Sequence, residues 1–322
     1  TVTGAVSNQS LELAREVASM YETRCLGLVV AHGASNYRLA TWHCAQSFLQ
    51  QTDLALHAYS NESFVHDPEP SPRLSLHRFN LSSIERAAPF MAKFEAVLDL
   101  ISSRNPQVIV LLDSDCVVRR SITEVDILEA LGPNDFALHE QAGITGSSMN
   151  RRAFFEHFVK HALPAIDPSA TAADFPRFRF WNSGVVIARA KAFVELAEFA
   201  LTRFNEAPER FRSPDYMVAD QDFFHYWLGH EDSPSVTPLG VEWNDCEWWN
   251  PKYPLPEARI THFSNFGEGP TSQTLAQMAR ASQREGLAAV VVSHQSAQAI
   301  SAHLESLRAS GLEEIQLWDN DS

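Results

Sequence analysis

The sequence predicts an α/β fold, a mixed sheet flanked by helices and followed by a partial βαβ unit, on three observations. Strand-like and helix-like stretches alternate through the first third of the chain, as they do in sheets with helical crossovers. The apolar run Val108-Ile109-Val110-Leu111-Leu112 has the length of a buried strand and ends abruptly in Asp113-Ser114-Asp115. A second β-branched run, Val185-Val186-Ile187, follows the small polar triplet Asn182-Ser183-Gly184.

The elements follow in order. Ser10 to Tyr21 carries Leu11, Leu13, Val17 and Met20 at helical spacing and predicts a short amphipathic helix. A strand is expected at Leu26–Ala31, a helix at Asn36–Gln50 and a strand at Leu54–Tyr59. Asp67 to Pro72 holds three prolines in six residues and must be loop. Leu74–Phe79 predicts a short strand, and Pro89–Ile101 a helix packed under the Asp113 strand. Ser121-Ile122-Thr123-Glu124 has the pattern of a capping box, with Ser121 as cap and Glu124 reaching back. Asp135–His139 predicts a strand, Asn150–Ala165 a helix, and Ser169–Asp174 a loop over the site.

Composition bounds the function. With 322 residues the chain can bury a substantial core, and 45% hydrophobic with 20% charged residues is a globular rather than a disordered balance. A net charge of -15 argues against a nucleic-acid track, which needs clustered Lys and Arg. Cys25, Cys44, Cys116 and Cys246 show neither Cys-x-x-Cys pairing nor the density of a disulfide scaffold, so a reducing cytoplasm is expected. No run approaches membrane-span length and no signal peptide is visible; the chain opens on Thr1, so its native start is expected upstream.

Asp113 and Asp115 are two apart, so on a strand-like backbone both carboxylates project to one face. Like charges held that close call for a cation between them, and hard oxygen ligands suit Mg or Mn with positions left for phosphates. In an open α/β sheet the carboxyl ends of the strands are where ligands bind. The alternative is that both residues cap the following turn. Three later segments set polar groups in apolar surroundings. Phe180-Trp181-Asn182-Ser183-Gly184-Val185 carries a Gly that permits close backbone approach; Ala219-Asp220-Gln221-Asp222-Phe223-Phe224 opens an aromatic-rich helix; Arg259-Ile260-Thr261-His262-Phe263 is strand-like with one His. Taken singly, each is more often structural than functional.

In this order the four segments resemble the GT-A glycosyltransferases, most closely glycosyltransferase family eight, over Leu26 to Gly269. The resemblance implies a GT-A (Rossmann-like) sheet and a transfer of sugar from a nucleotide-sugar donor, a UDP-sugar above all, to a glycan or lipid-linked acceptor. It implies that Asp113, Asp115 and His262 hold Mn2+ (or Mg2+) against the donor diphosphate. Asp220, Gln221 and Asp222 become the catalytic candidates, and Lys93, Ser114, Asn182, Ser183 and Gly184 the donor and acceptor pocket. Trp248 and Trp249, with Trp243 and Tyr253, offer a stacking platform for sugar, or alternatively core or lid. One departure stands out: where the family follows its metal-binding His with Gly and then Lys, this chain reads Phe263-Ser264-Asn265-Phe266-Gly267-Glu268. Either another cation serves, or the donor or subfamily differs, which puts the family's retention of anomeric configuration in question. Lys93 stands on a helix before the acidic strand, where the family often has a basic residue near the donor; its alternative is a solvated surface position.

The domain reading is an N-terminal helix at 1–25, the main domain at 26–270, a linker helix at 271–286 and a second α/β unit at 287–322. That unit, a strand at Leu287–Ser293, a helix at Ala297–Ala309 and a strand at Glu314–Trp318, resembles the start of a family-two glycosyltransferase. Asp319 would lie near a nucleotide base, and the absence of a second Asp-x-Asp implies a longer tandem enzyme cut short, or else an accessory unit. By that analogy the expected setting is surface polysaccharide synthesis by a cytoplasmic protein, peripheral to the inner face of the membrane at most. Two rivals stand beside this reading: a haloacid-dehalogenase-like phosphatase with Asp113 as nucleophile, poorly served by elements that precede the motif, and a non-catalytic carbohydrate-binding module.

Overall fold

The computed structural model describes residues 24–31, 35–64, 71–82, 89–141, 143–144, 150–211, 219–264, 270–282, 288–293 and 314–319. The expected helices at Ser10–Tyr21 and Ala297–Ala309 and most of the proline-rich loop lie outside the described residues. Seven strands form one mixed sheet: β1 (Cys25–Val30), β2 (Ala55–Ser60), β3 (Leu74–Arg78), β4 (Val108–Leu112), β6 (Phe136–Glu140), β7 (Trp181–Arg189) and β8 (Val236–Leu239). The spatial order is β3-β2-β1-β4-β7-β6-β8. β7 runs antiparallel to both β4 and β6, and the other neighbours pair in parallel, so β7 is the one strand reversed within this sheet.

Strands buried on both faces read as continuous apolar runs, and alternation sorts their side chains between two layers. Leu26, Leu28, Val30, Ile109 and Leu111 join one core cluster, while Cys25, Val29, Val108, Val110 and Leu112 join the other. Helices α2 (Ala92–Arg104), α6 (Ala190–Glu206) and α7 (Asp220–Gly229) cover the first layer; α1 (Ser35–Gln51) and α3 (Glu124–Leu131) cover the second. At Gly27 an added Cβ would lie 2.5 Å from Phe48 Cζ, so the missing side chain lets α1 lie close against the sheet.

Two further strands, β5 (Cys116–Val118) and β9 (Ile260–His262), form an antiparallel pair that places Cys116 opposite His262. β10 (Ala288–Ser293) and β11 (Glu314–Asp319) form a parallel pair, as a βαβ unit requires. Helix α8 (Ser272–Ser282) covers most of the helix expected at 271–286, and its Leu275 and Met278 pack with Ala40 of α1 and Val117 of β5. The expected helix at Asn150–Ala165 is helical throughout but not uniform: α4 (Arg151–His157) passes through one π turn, Phe158–Ala162, into α5 (Leu163–Ile166). Among the described residues no helix is long and apolar enough to cross a membrane.

Three expectations need correction. The capping box sits two residues later, because Thr123 Oγ1 accepts from the Asp126 N–H and Asp126 Oδ2 accepts from the Thr123 N–H. Loop 169–174 does not lie over the acids; it packs at the far end of α7, where Phe175 meets Tyr226 and His230. Lys93 is not a surface residue but is 3% exposed inside the fold.

The capping geometry has a direct test. Thr123→Ala should cost about 1 kcal/mol in chemical denaturation, and Ser121→Ala, exposed and outside the box, less than ~0.5 kcal/mol.

Candidate metal centre

The strand order reverses between β1 and β4, and the chain leaves β4 at the carboxyl end beside that point. Asp113 follows β4 directly, its N–H donating to Gly184 O at 2.8 Å, and the turn through Ser114 and Asp115 enters β5. Ser114 is buried within that turn. β9 then carries His262 across from Cys116, and Phe263 N–H donates to Asp115 O at 2.9 Å. Residues distant in sequence are thus fixed together by backbone bonds.

His262 Nε2 stands 3.3 Å from Asp115 Oδ1 and 3.7 Å from Asp113 Oδ2. The other Asp113 oxygen, Oδ1, pairs with Lys93 Nζ, which also donates to Asp220 Oδ2 at 2.7 Å. Lys93, Asp220 and His262 are sealed, whereas the side chains of Asp113 and Asp115 remain 21% and 15% exposed. Access to the cluster is therefore from the two acids.

The tautomer of His262 follows from bonds behind it. Gly184 N–H donates to Asn182 Oδ1 at 2.9 Å, so Asn244 must meet that oxygen with Nδ2, at 2.7 Å. Asn244 Oδ1 then faces His262 Nδ1 at 3.1 Å, and Nδ1 carries the hydrogen. In the neutral ring Nε2 therefore presents a lone pair to two carboxylates, an arrangement that needs a proton or a metal ion between them. Gly184 makes room for it: a Cβ there would lie 2.2 Å from His262 Cε1 and 2.5 Å from Nδ1. β7 accommodates this turn by a register shift: the consecutive β6 residues Leu138 and His139 pair with Val186 and Asn182 of β7.

Charge points the same way. With the imidazole neutral, Asp113, Asp115 and Asp220 carry three formal negative charges against the one ammonium of Lys93, a deficit that one divalent cation balances and that a proton on His262 halves. Burial acts against the charged imidazole, yet Asp115 and Asp113 hold His262 above the ordinary histidine range. Burial acts upward on Asp115, but His262 holds its carboxyl below the usual value. Burial raises Asp113 against the pull of Lys93. Burial opposes the charge on Lys93 as well, and Asp113 and Asp220 nonetheless keep it firmly protonated. On α1, burial and then the two acids push the Tyr37 phenol up, which puts that ring within their electrostatic reach.

Asp115, Cys116 and His262 bring one ligand atom each within 4.8 Å of the others, a set that could hold a metal ion. Cys116 fits poorly as a ligand. Burial and then Asp115 and Asp113 push its thiol well above the usual range, and its Sγ donates to Gly184 O at 3.4 Å, whereas a metal takes the thiolate. Asp115 and His262, with the free face of Asp113, make the chemically better set.

The remaining expected residues divide. Gln221 Oε1 lies 3.4 Å from both Asn182 Nδ2 and the Ser183 N–H, joining the start of α7 to the β7 turn. Asp222 is turned to structure: its Oδ2 accepts from the Ala219 N–H at 2.9 Å and caps α7, which lacks a side-chain acceptor at Ala219. Trp249 donates to Asn244 O and packs edge-on against His262 at 5.6 Å, while Trp248 donates to Ser264 O. Trp243 lies under the Arg259 guanidinium, 5.0 Å away. Asn244 and Asp245 carried no sequence expectation. Asp245 is wholly buried, accepts from Asn250 Nδ2 and the Leu255 N–H, and through its carbonyl holds the His262 N–H at 2.8 Å. The one signal was a polar pair set between Trp243 and Trp248.

No protein-family model matches the chain, and comparison with curated proteins finds no match either.

Two substitutions probe this geometry. Lys93→Met leaves Asp220 buried without its partner and should cost on the order of 3–5 kcal/mol by denaturant unfolding. Gly184→Ala should cost about 1–3 kcal/mol and displace His262, read as a changed imidazole resonance by NMR.

Proposed function

We propose that this protein is a metal-dependent glycosyltransferase of the GT-A kind, taking sugar from a nucleotide-diphosphate donor, a UDP-sugar above all, to a glycan or lipid-linked acceptor. The observation that carries the reading is the lone pair of His262 facing two part-exposed aspartates at the carboxyl ends of the central strands. Support comes also from the sheet, since open α/β sheets take ligands in the crevice where strand order reverses.

Asp115, Asp113 and His262 would hold Mn2+ or Mg2+. When bound, such an ion neutralises charge that grows on a departing diphosphate, and so favours the transition state over the ground state. The protein's own groups prepare the place. Lys93 keeps one Asp113 oxygen occupied and orients the other toward His262. Asn244 holds the imidazole with Nε2 outward to the acids. Gln221, with its carbonyl turned to the β7 turn, has no acceptor for its amide hydrogens among the described residues and would offer them to a sugar hydroxyl. Asp220 is bound to Lys93, so its role is to shape and polarise the pocket rather than to take a proton from the acceptor. Lys93 is sealed between Asp113 and Asp220, so it supports the acids and does not replace the cation that the family places after its histidine.

Incubation with a panel of nucleotide sugars, with and without Mn2+, tests the reading. One donor should be hydrolysed or transferred only with metal, and Asp115→Ala should lower that turnover about 100-fold or more. A metal-independent release of phosphate from simple phosphoesters would favour the phosphatase, and glycan binding without turnover a binding module.

The acid–base state of His262 gives a second test. Its folded value lies above the unfolded one, so in the metal-free protein its contribution to stability is full below the ordinary histidine range and is lost as pH rises through the raised value. Metal must displace the Nε2 proton, so Mn2+ affinity should climb with pH through the same window and level off above it. Calorimetry in buffers of different ionisation enthalpy should register that proton release.

A further inference from the structure

We propose, resting on the transferase reading, that His139 is the general base that takes the proton of the acceptor hydroxyl. Transfer then inverts the anomeric carbon. His139 lies near the carboxyl end of β6, which runs parallel to β4, so it sits at the same edge of the sheet as Asp113. Its ladder partner is Asn182, whose side chain belongs to the frame that orients His262. Only β7 stands between β4 and β6, so two strand spacings, roughly 10 Å, divide the acids from His139. The indole of Trp249 bridges that gap, edge-on to His262 at 5.6 Å and stacked on His139 at 6.4 Å between ring centres.

The ring is held in the tautomer that a base needs. Its Nδ1 meets Leu239 O at 3.2 Å, and a carbonyl can only accept, so Nδ1 carries the hydrogen. Nε2 then holds the lone pair of the neutral ring. It has no hydrogen-bond partner among the described residues, yet it is not sealed from water, and the side chain is part-exposed. Burial holds the imidazole below the ordinary histidine range, against the opposing pull of the Leu239 carbonyl, of Glu242 in the turn after β8 and of Glu140 beside it. His139 is therefore neutral, and able to accept a proton, at neutral pH.

The carboxylates nearest the cluster are committed elsewhere. Asp220 is tied to Lys93, Asp222 caps α7, Asp245 holds Asn250 and the Leu255 N–H, and Glu140 pairs with Arg151 and Arg179. The spacing from the acids to His139 leaves room for a sugar carbon and an attacking hydroxyl in a row, with reacting atoms about 3 Å apart and the base about 3 Å beyond. In the step itself the hydroxyl oxygen bonds the anomeric carbon as the bond from that carbon to the diphosphate breaks. The electron pair leaves with the diphosphate, and the hydroxyl proton passes to His139 Nε2 and from there to solvent.

Product stereochemistry and pH profiles test this role on the full chain, wild type and His139→Asn, at saturating Mn2+ with the donor that wild type turns over. Asparagine keeps an N–H for Leu239 O and loses the base. By NMR, the wild-type product should carry the anomeric configuration opposite to that of the donor. His139→Asn should lower kcat about 100-fold or more and leave Mn2+-dependent UDP binding, read by calorimetry, unchanged. It should also abolish the limb on which wild-type kcat rises with pH below the ordinary histidine range. Retention of configuration, or a His139→Asn protein that transfers as fast as wild type with the same pH limb, overturns the role of His139 and leaves the transferase reading standing. A variant that loses UDP binding together with turnover marks His139 as structural and overturns the role as well. Absence of any metal-dependent turnover in wild type overturns both.

Discussion

The ammonium of Lys93 between Asp113 and Asp220 is the contact on which the site's construction depends. It joins three elements that are far apart in the chain: α2, the exit of β4 and the first residue of α7. Both carboxylates, largely out of water, depend on the one ammonium, since removing it leaves two buried acids without a counter-charge. The pairing also divides Asp113, tying one oxygen inward and leaving the other beside His262. A buried ion pair of this sort adds little net stability compared with an apolar packing of equal volume. Its retention here goes with a definite orientation of the outer acids, which apolar residues could not provide.

Around that pair, orientation passes outward from backbone to side chain. The N–H of Gly184 fixes the carbonyl of Asn182, Asn182 fixes the amide of Asn244, and Asn244 fixes the hydrogen on His262. The same Gly184 leaves space for the ring and accepts from Asp113 N–H through its carbonyl. One small residue at a break in strand register therefore positions both an acid and the imidazole that faces it. Asp245 completes the frame by gripping the backbone of β9 from its buried position. The result is a cluster held by main-chain bonds on one side and open to solvent on the other.

Much of this was legible in the residues. The run Val108–Leu112 had to be a strand buried on both faces, and Asp113 and Asp115 had to leave it at the same end. Gly184 announced a close approach, and the ring of His262 makes one. What one sequence did not disclose depends on long-range pairing. β5 and β8 are three and four residues long and carry no periodicity of their own; each forms because a partner strand is present. α6 drew no expectation, although Phe193, Leu196, Ala197 and Phe204 make it a large part of the core. Lys93 looked like a solvated residue because its two partners are 20 and 127 positions away, as their numbers show. Asn244 and Asp245 were hidden among aromatics for the same reason. Sequence carries local pattern well, and it carries the identity of a buried polar residue's partner hardly at all.

Helix α7 ties the chemistry of the acids to the rest of the molecule. Its first turn supplies Asp220 to Lys93, Gln221 to the β7 turn and Asp222 to its own cap, so three successive side chains serve three distinct contacts. Its middle is anchored by Phe223 and Phe224, both fully buried against the aromatic core. At its end Gly229 lies so near Phe175 that a Cβ would come within 2.9 Å of that ring, which closes the helix tightly against the segment before β7. A helix pinned at both ends and through its centre behaves as a rigid spacer rather than a lever.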